Sequence, residues 1–162
     1  MPRKQKISWP LGAVFAVPLP DGTFALGQAI GMMMANVVYC ALTATRVASL
    51  AAAADAVSAL TPVDVVTRQA LTREQLDYAA WTVVGRAAPL AAVADFNNER
   101  FAKDRYVGAT IHDAAVAEEF LAAFHALAPW DDWFDPTYLD SWLVSLDRRP
   151  SVLQFKSGRA AT

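Results

Sequence analysis

The sequence predicts an α+β fold in a single domain, on three observations. No charged residue occurs from Gly22 to Thr45, and side chains there alternate in size as buried strands do. Alanine-rich segments with apolar residues at helical spacing follow from Arg46 and again from Asp113. At 162 residues, with 55% hydrophobic and 19% charged content, the chain can bury a core without disulfides or a structural metal. The expected architecture is an N-terminal curved antiparallel β-meander, rolled as in an SH3-like barrel, then C-terminal helices and a final strand, all within residues 1–162.

The first eight residues contain Arg3, Lys4 and Lys6 and read as a solvated flexible tail; residues 157–162 read the same way. Pro10, Pro18 and Pro20 interrupt the apolar residues behind the basic head, which is unlike a signal peptide. In "AVFAVPLPDGTFALGQAI", Phe15, Val17 and Leu19 share one face of a strand. Pro20-Asp21-Gly22 supplies a turn, because proline presets φ and glycine accepts positive φ. Phe24, Leu26 and Ile30 then alternate with Thr23, Ala25, Gly27 and Ala29; Gly27 in mid-strand marks a bend or a close approach. "NVVYCALTA", rich in β-branched and aromatic residues, is a third strand. The uncharged run is not read as a membrane span, which needs about 20 mainly apolar residues; Gly22, Gly27, Gln28, Gly31 and Asn36 interrupt it.

"RVASLAAAADAVSAL" has Val47, Leu50, Ala54 and Val57 on one helical face and ends at Pro62. "VDVVTRQAL" is a strand, Thr72 with Gln75 fits a capping box for a short helix, and "WTVVGRA" is a buried strand. A loop around Asn97-Asn98 leads to a strand at Tyr106–His112. Asp113 caps a helix whose stripe is Val116, Phe120, Phe124 and Leu127, with Glu118 and Glu119 off the stripe. Asp135-Pro136 starts another helix with Leu139, Trp142, Leu143 and Leu146 inward, and "SVLQFK" is the final strand.

Chemistry is sparse. A net charge of −2 offers no basic field for phosphates, so nucleic acid and membrane are not expected partners. The lone Cys40 sits in an apolar run and reads as a small hydrophobe, in keeping with a reducing cytoplasm. His112 and His125 lie near no nucleophile motif and read as structural or surface residues, and no phosphate or dinucleotide loop is present. No catalytic set and no cofactor is therefore expected. The dense stretch "PWDDWFDPTYLD" stands out. Asp135 is explained by capping and Leu139 by packing, whereas Asp131 and Asp132 are needed for neither. Beside Trp130 and Trp133 they form an acidic, aromatic patch that suits a basic partner, with Glu118 and Glu119 as added acids. Two other readings compete. One is an SH3-like module docking peptide or nucleic acid through its strand face. The other is a metal-dependent hydrolase using Asp131, Asp132 and Asp135, although the stretch lacks the glycine and terminal glutamate of a calcium loop.

Two segments carry a family likeness. "GAVFAVPLPDGTFALGQAIG" with "NVVYCAL", and "VGATIHDAAVAEEFLAAFHALAPWDDWFDPTYLDSWLVS" with its W-D-D-W-x-D-P-x-Y-L run, resemble the bacterial immunity protein 26 family. The resemblance covers about two-thirds of the chain. It does not extend to the alanine-rich segment at 46–60, and Ala13 stands where that family has an acid. What it implies is a cytoplasmic antitoxin, not an enzyme, that binds a cognate polymorphic or contact-dependent toxin domain and occludes it.

Overall fold

The computed structural model describes residues 2–156. Strand pairing starts from the turn the sequence marks. Gly22 adopts φ +83°, its N–H donates to the Leu19 carbonyl (3.0 Å), and the Asp21 carboxylate accepts from the Thr23 N–H (3.1 Å) and hydroxyl (2.6 Å). This turn joins β1 (Ala13–Pro18) to β2 (Phe24–Met34), which pairs in turn with β3 (Val37–Val47). After α1 (Leu50–Ala56), capped by Ser49, come β4 (Val65–Thr72), the short α2 (Glu74–Asp77) and β5 (Thr82–Arg86). The five strands form one antiparallel sheet ordered β4-β3-β2-β1-β5.

The sheet stays open, so the SH3-like barrel is corrected. Closure would need β4 to pair with β5. Instead β5 lines the free edge of β1, while the outer edge of β4 meets residues 112 and 143–144 of the chain's own C-terminal half. Both faces are covered, which opposes rolling. One face takes Phe15, Val17, Cys40, Leu42 and Leu71 against α3 (Ala114–Phe124) and the C-terminal segment. The other takes Leu26 and Ala16 against Ala53 of α1, Ala41 against Leu90, and Tyr39 stacked on Phe96 at 4.5 Å. Phe15 stacks on Trp81 at 5.1 Å. The predicted alternation is thus observed in β1 and β2. Among the described residues no helix is long and apolar enough to cross a membrane.

Gly27 is the close approach anticipated from its mid-strand position. A Cβ there would lie 2.7 Å from Phe15 Cζ and 2.8 Å from Leu42 Cδ2, both in the packed face. Gly27→Ala is expected to cost about 1–3 kcal/mol, the usual penalty for overpacking a close-packed core. A urea midpoint unchanged from the parent protein would show that this face yields freely.

Several elements differ from expectation for reasons outside the local sequence. Thr72 does not form a box with Gln75. Arg73 is the cap position of α2, while the Thr72 hydroxyl donates to Glu74 Oε1 (2.8 Å) and accepts from the Ala114 N–H (3.0 Å) at the start of α3. Residues 106–112 form no strand. A 3₁₀ run at Asn97–Asp104 passes into left-handed Arg105 and Tyr106, and only His112 bridges to Leu71. The final strand is reduced to one bridge, Pro129 to Gln154. The helix expected after Pro136 is a five-residue 3₁₀ turn, Tyr138–Trp142, with Leu146 exposed rather than inward. Of the predicted N-terminal tail, residues 2–5 are exposed, but the Ile7 N–H donates to the Asp77 carbonyl (2.8 Å) and Lys6 Nζ lies 3.5 Å from its carboxylate. The predicted tail at 157–162 lies outside the described residues.

His125 ends α3, its N–H donating to the Leu121 carbonyl (3.1 Å). Its Nε2 is buried without a partner among the described residues. Burial, aided by the nearby Arg46 charge and opposed by Asp21, pushes its pKa down to about 4. The sign follows from linkage. The unfolded chain binds the proton more readily, so this contribution is intact above about pH 6.5 and is lost as pH falls toward 4. His125→Gln should flatten the decline in urea midpoint between pH 7 and pH 4.5; a variant as acid-sensitive as the parent would refute the assignment.

Candidate functional site

The acid-rich stretch is assembled around Trp130. This side chain is buried, packs on Phe120 of α3 at 5.8 Å between ring centroids, and donates its indole N–H to Asp140 Oδ1 (2.9 Å). Asp140 also lies 3.7 Å from Arg149 Nε. The Trp130 N–H donates to the Gln154 carbonyl (2.8 Å), holding 129–131 beside 154–156. Trp130, expected in the partner patch, is therefore a core plug that fixes the patch from beneath.

Asp131 and Asp132 flank the same junction from the solvent side. Asp131 Oδ1 accepts from the Lys156 N–H (2.7 Å), and Asp132 Oδ1 lies 3.0 Å from Lys156 Nζ. Asp132 is about half exposed, so its pair with Lys156 is worth little in water. Asp135 organises the next turn, accepting from the Thr137 N–H (2.9 Å) and hydroxyl (2.8 Å). Those two hydrogen bonds hold its carboxyl below the usual range. Among the described residues no group of three or more histidine, cysteine or acidic side chains could hold a metal, so these aspartates do not form the cluster a hydrolase reading requires.

Four of the six expected partner residues line one cleft of about 730 Å³: Glu118, Glu119, Asp132 and Trp133. The opposite wall is Pro18, Leu19 and Pro20, from the β1–β2 turn. Trp133 packs against Tyr138 at 4.8 Å with the rings tilted by 40° and keeps part of its ring open. Next to it Phe134 is fully exposed, at 108% of its reference area. Single exposed apolar residues are common, but here a bare phenylalanine adjoins a half-open tryptophan and a cleft, which makes one continuous aromatic patch.

The two glutamates differ. Glu118 Oε1 accepts from Gln75 Nε2 (2.7 Å) and from the Trp81 indole N–H (2.9 Å), tying α3 to α2 and β5. It contributes charge to the wall while serving the fold. Glu119 is exposed and makes no hydrogen bond or ion pair with the described residues. The sequence reading missed the Pro18–Pro20 wall, because Leu19 read as a strand residue and Pro20 as a turn former, about a hundred positions from the acids. The stiffness of its prolines, which needs no ordering on binding, was the available signal.

The strand-face alternative loses its aromatics: Phe15 and Tyr39 are buried and Phe24 packs beside α1. Cys40 is buried too, which pushes its thiol well above the ordinary range and leaves it unreactive. No family model, curated protein or solved structure matches the chain.

Proposed function

We propose that this chain is an immunity protein, a bacterial cytoplasmic antitoxin that binds a cognate polymorphic or contact-dependent toxin domain and neutralises it by occlusion. The observation that carries the reading is the cleft gathering Glu119, Asp132 and Trp133 beside fully exposed Phe134. The resemblance of the β1–β3 and 107–145 segments to the immunity protein 26 family supports it. Rigid aromatic anchors supply binding energy at the centre of an interface, and surrounding acids steer a basic partner and set its register. A toxin that handles nucleic acid presents a basic active site, against which Glu119 and Asp132 stand in for phosphates. Such a protein needs no chemistry of its own; it acts by filling the partner's site.

The test is co-expression with the C-terminal toxin domain encoded beside it. Growth should be rescued, and the two chains should co-elute as a stoichiometric complex. Rescue without any complex at low salt, or no rescue at all, would overturn the reading.

A further inference from the structure

A second cavity, of about 430 Å³, opens along the outer edge of β4 and shares no lining residue with the acidic cleft. Its origin is a vacant place in the backbone pairing. His112 fills one place on that edge: its N–H donates to the Ala70 carbonyl (3.0 Å), and its carbonyl accepts from the Thr72 N–H (3.0 Å). Farther along, the Val144 N–H donates to the Val66 carbonyl (2.9 Å), where Leu143 bridges to Thr67. Between these lies one further place. The Arg68 carbonyl and the Ala70 N–H face the same way as the pair His112 uses, by the alternation of an edge strand. Neither has a partner among the described residues beyond β4. Thr110, two residues before His112, would fill it if the chain continued as a strand. Buried Asn98 holds Thr110 instead, its Oδ1 accepting from the Thr110 N–H (3.1 Å) and its Nδ2 donating to the Thr110 carbonyl (2.7 Å).

We propose that this place binds an N-acylated α-amino acid with a free carboxylate, either as a free molecule or as the last residue of a peptide. Its amide N–H would donate to the Arg68 carbonyl and its carboxylate would accept from the Ala70 N–H, repeating what His112 does one place along. His112 blocks the strand direction beyond, so the bound chain must end there, and the acyl group must leave through the cavity mouth because Leu143 and Val144 block the other side. The wall carries both strong donors and the Asp95 carboxylate. The Arg68 guanidinium is 4.0 Å from its nearest acid, Asp95, and the Trp142 indole N–H is buried with no acceptor among the described residues. With the Ala70 N–H, these two donors favour a carboxylate over a neutral amide at the end that meets His112. The inference stands apart from the toxin-binding reading, since it uses different residues.

The experiment is a titration of ¹⁵N-labelled protein with N-acetylalanine, followed at the Ala70 amide and Trp142 indole cross-peaks. Both should move, with half-saturation at about 1 mM, the affinity open to a ligand of this size. N-acetyl-N-methylalanine, which lacks the donor, and N-acetylalaninamide, which lacks the carboxylate, should each bind about tenfold more weakly. Arg68→Ala, a change at a partly exposed side chain, should weaken N-acetylalanine about tenfold and leave N-acetylalaninamide unaffected. A peptide ending in alanine that binds more tightly than N-acetylalanine would assign the place to chain ends, and equal affinity would assign it to the free compound. Unmoved cross-peaks at about 20 mM N-acetylalanine, or equal binding of the N-methylated compound, would overturn the proposal.

Discussion

Trp130→Ala is expected to lower stability by about 3–5 kcal/mol, the range for emptying a buried aromatic site. Set against the roughly 5–15 kcal/mol that holds a domain of this size, that is enough to populate unfolded chain at physiological temperature. The magnitude follows from two losses at once. The indole leaves a void against Phe120, whose ring also stacks on Trp142 at 5.3 Å, so the cavity opens in the centre of the cluster joining α3 to the C-terminal segment. Asp140 loses the indole donor and, among the described residues, keeps Arg149 at 3.7 Å. Trp130→Phe separates the two, because it fills most of the volume and deletes only the N–H; it should cost about 1–2 kcal/mol. Urea denaturation followed by circular dichroism measures both. An alanine variant within about 1 kcal/mol of the parent would mean that the acidic stretch is held by its backbone pairing to residues 154–156 rather than by this plug.

What could be read from the sequence was whatever depends on neighbours along the chain. The alternation of Phe15, Val17 and Leu19, the Pro20-Asp21-Gly22 turn and the Asp113 cap all report local geometry, and the structure realises each of them. The failures share a cause. Thr72 looked like a cap for its own helix, but its hydroxyl is taken up by the start of α3, more than forty residues later. Glu118 looked like one more acid of the partner patch, yet Trp81 and Gln75 claim it across the fold. Residues 106–112 carry a strand-like composition, but buried Asn98 competes successfully for the Thr110 backbone and ends the pairing at His112. In each case a group distant in sequence offers the better hydrogen bond, and no local pattern encodes that choice. The open sheet has the same origin, since the outer edge of β4 is occupied by residues 112 and 144. The candidate site was legible as a list of acids and aromatics and illegible as a place. Its opposite wall comes from Pro18–Pro20, and its buried member, Trp130, could be told from its open one, Trp133, only by packing.

Combining Glu119→Lys, Asp132→Lys and Phe134→Ala is expected to weaken the proposed toxin complex by about 100- to 1,000-fold, corresponding to the loss of one aromatic anchor and the reversal of two rim charges. The charge changes alone should act mainly on the association rate and should fade as salt rises, whereas the phenylalanine should act on dissociation at any salt. These positions are chosen because the fold does not depend on them. Glu119 has no partner among the described residues, Phe134 is fully exposed, and the Asp132–Lys156 pair is mostly solvated, so the free protein should unfold within about 0.5–1 kcal/mol of the parent. Asp131 and Glu118 are poorer choices despite their charge. Asp131 accepts the Lys156 N–H and Glu118 accepts the Trp81 indole, so replacing either confounds binding with folding. Surface plasmon resonance at low and high salt, with a urea melt of each variant, separates the two. A triple variant that folds as the parent and binds with undiminished affinity would move the interface off this cleft, while leaving Trp130 and the pairing beneath it to a purely structural role.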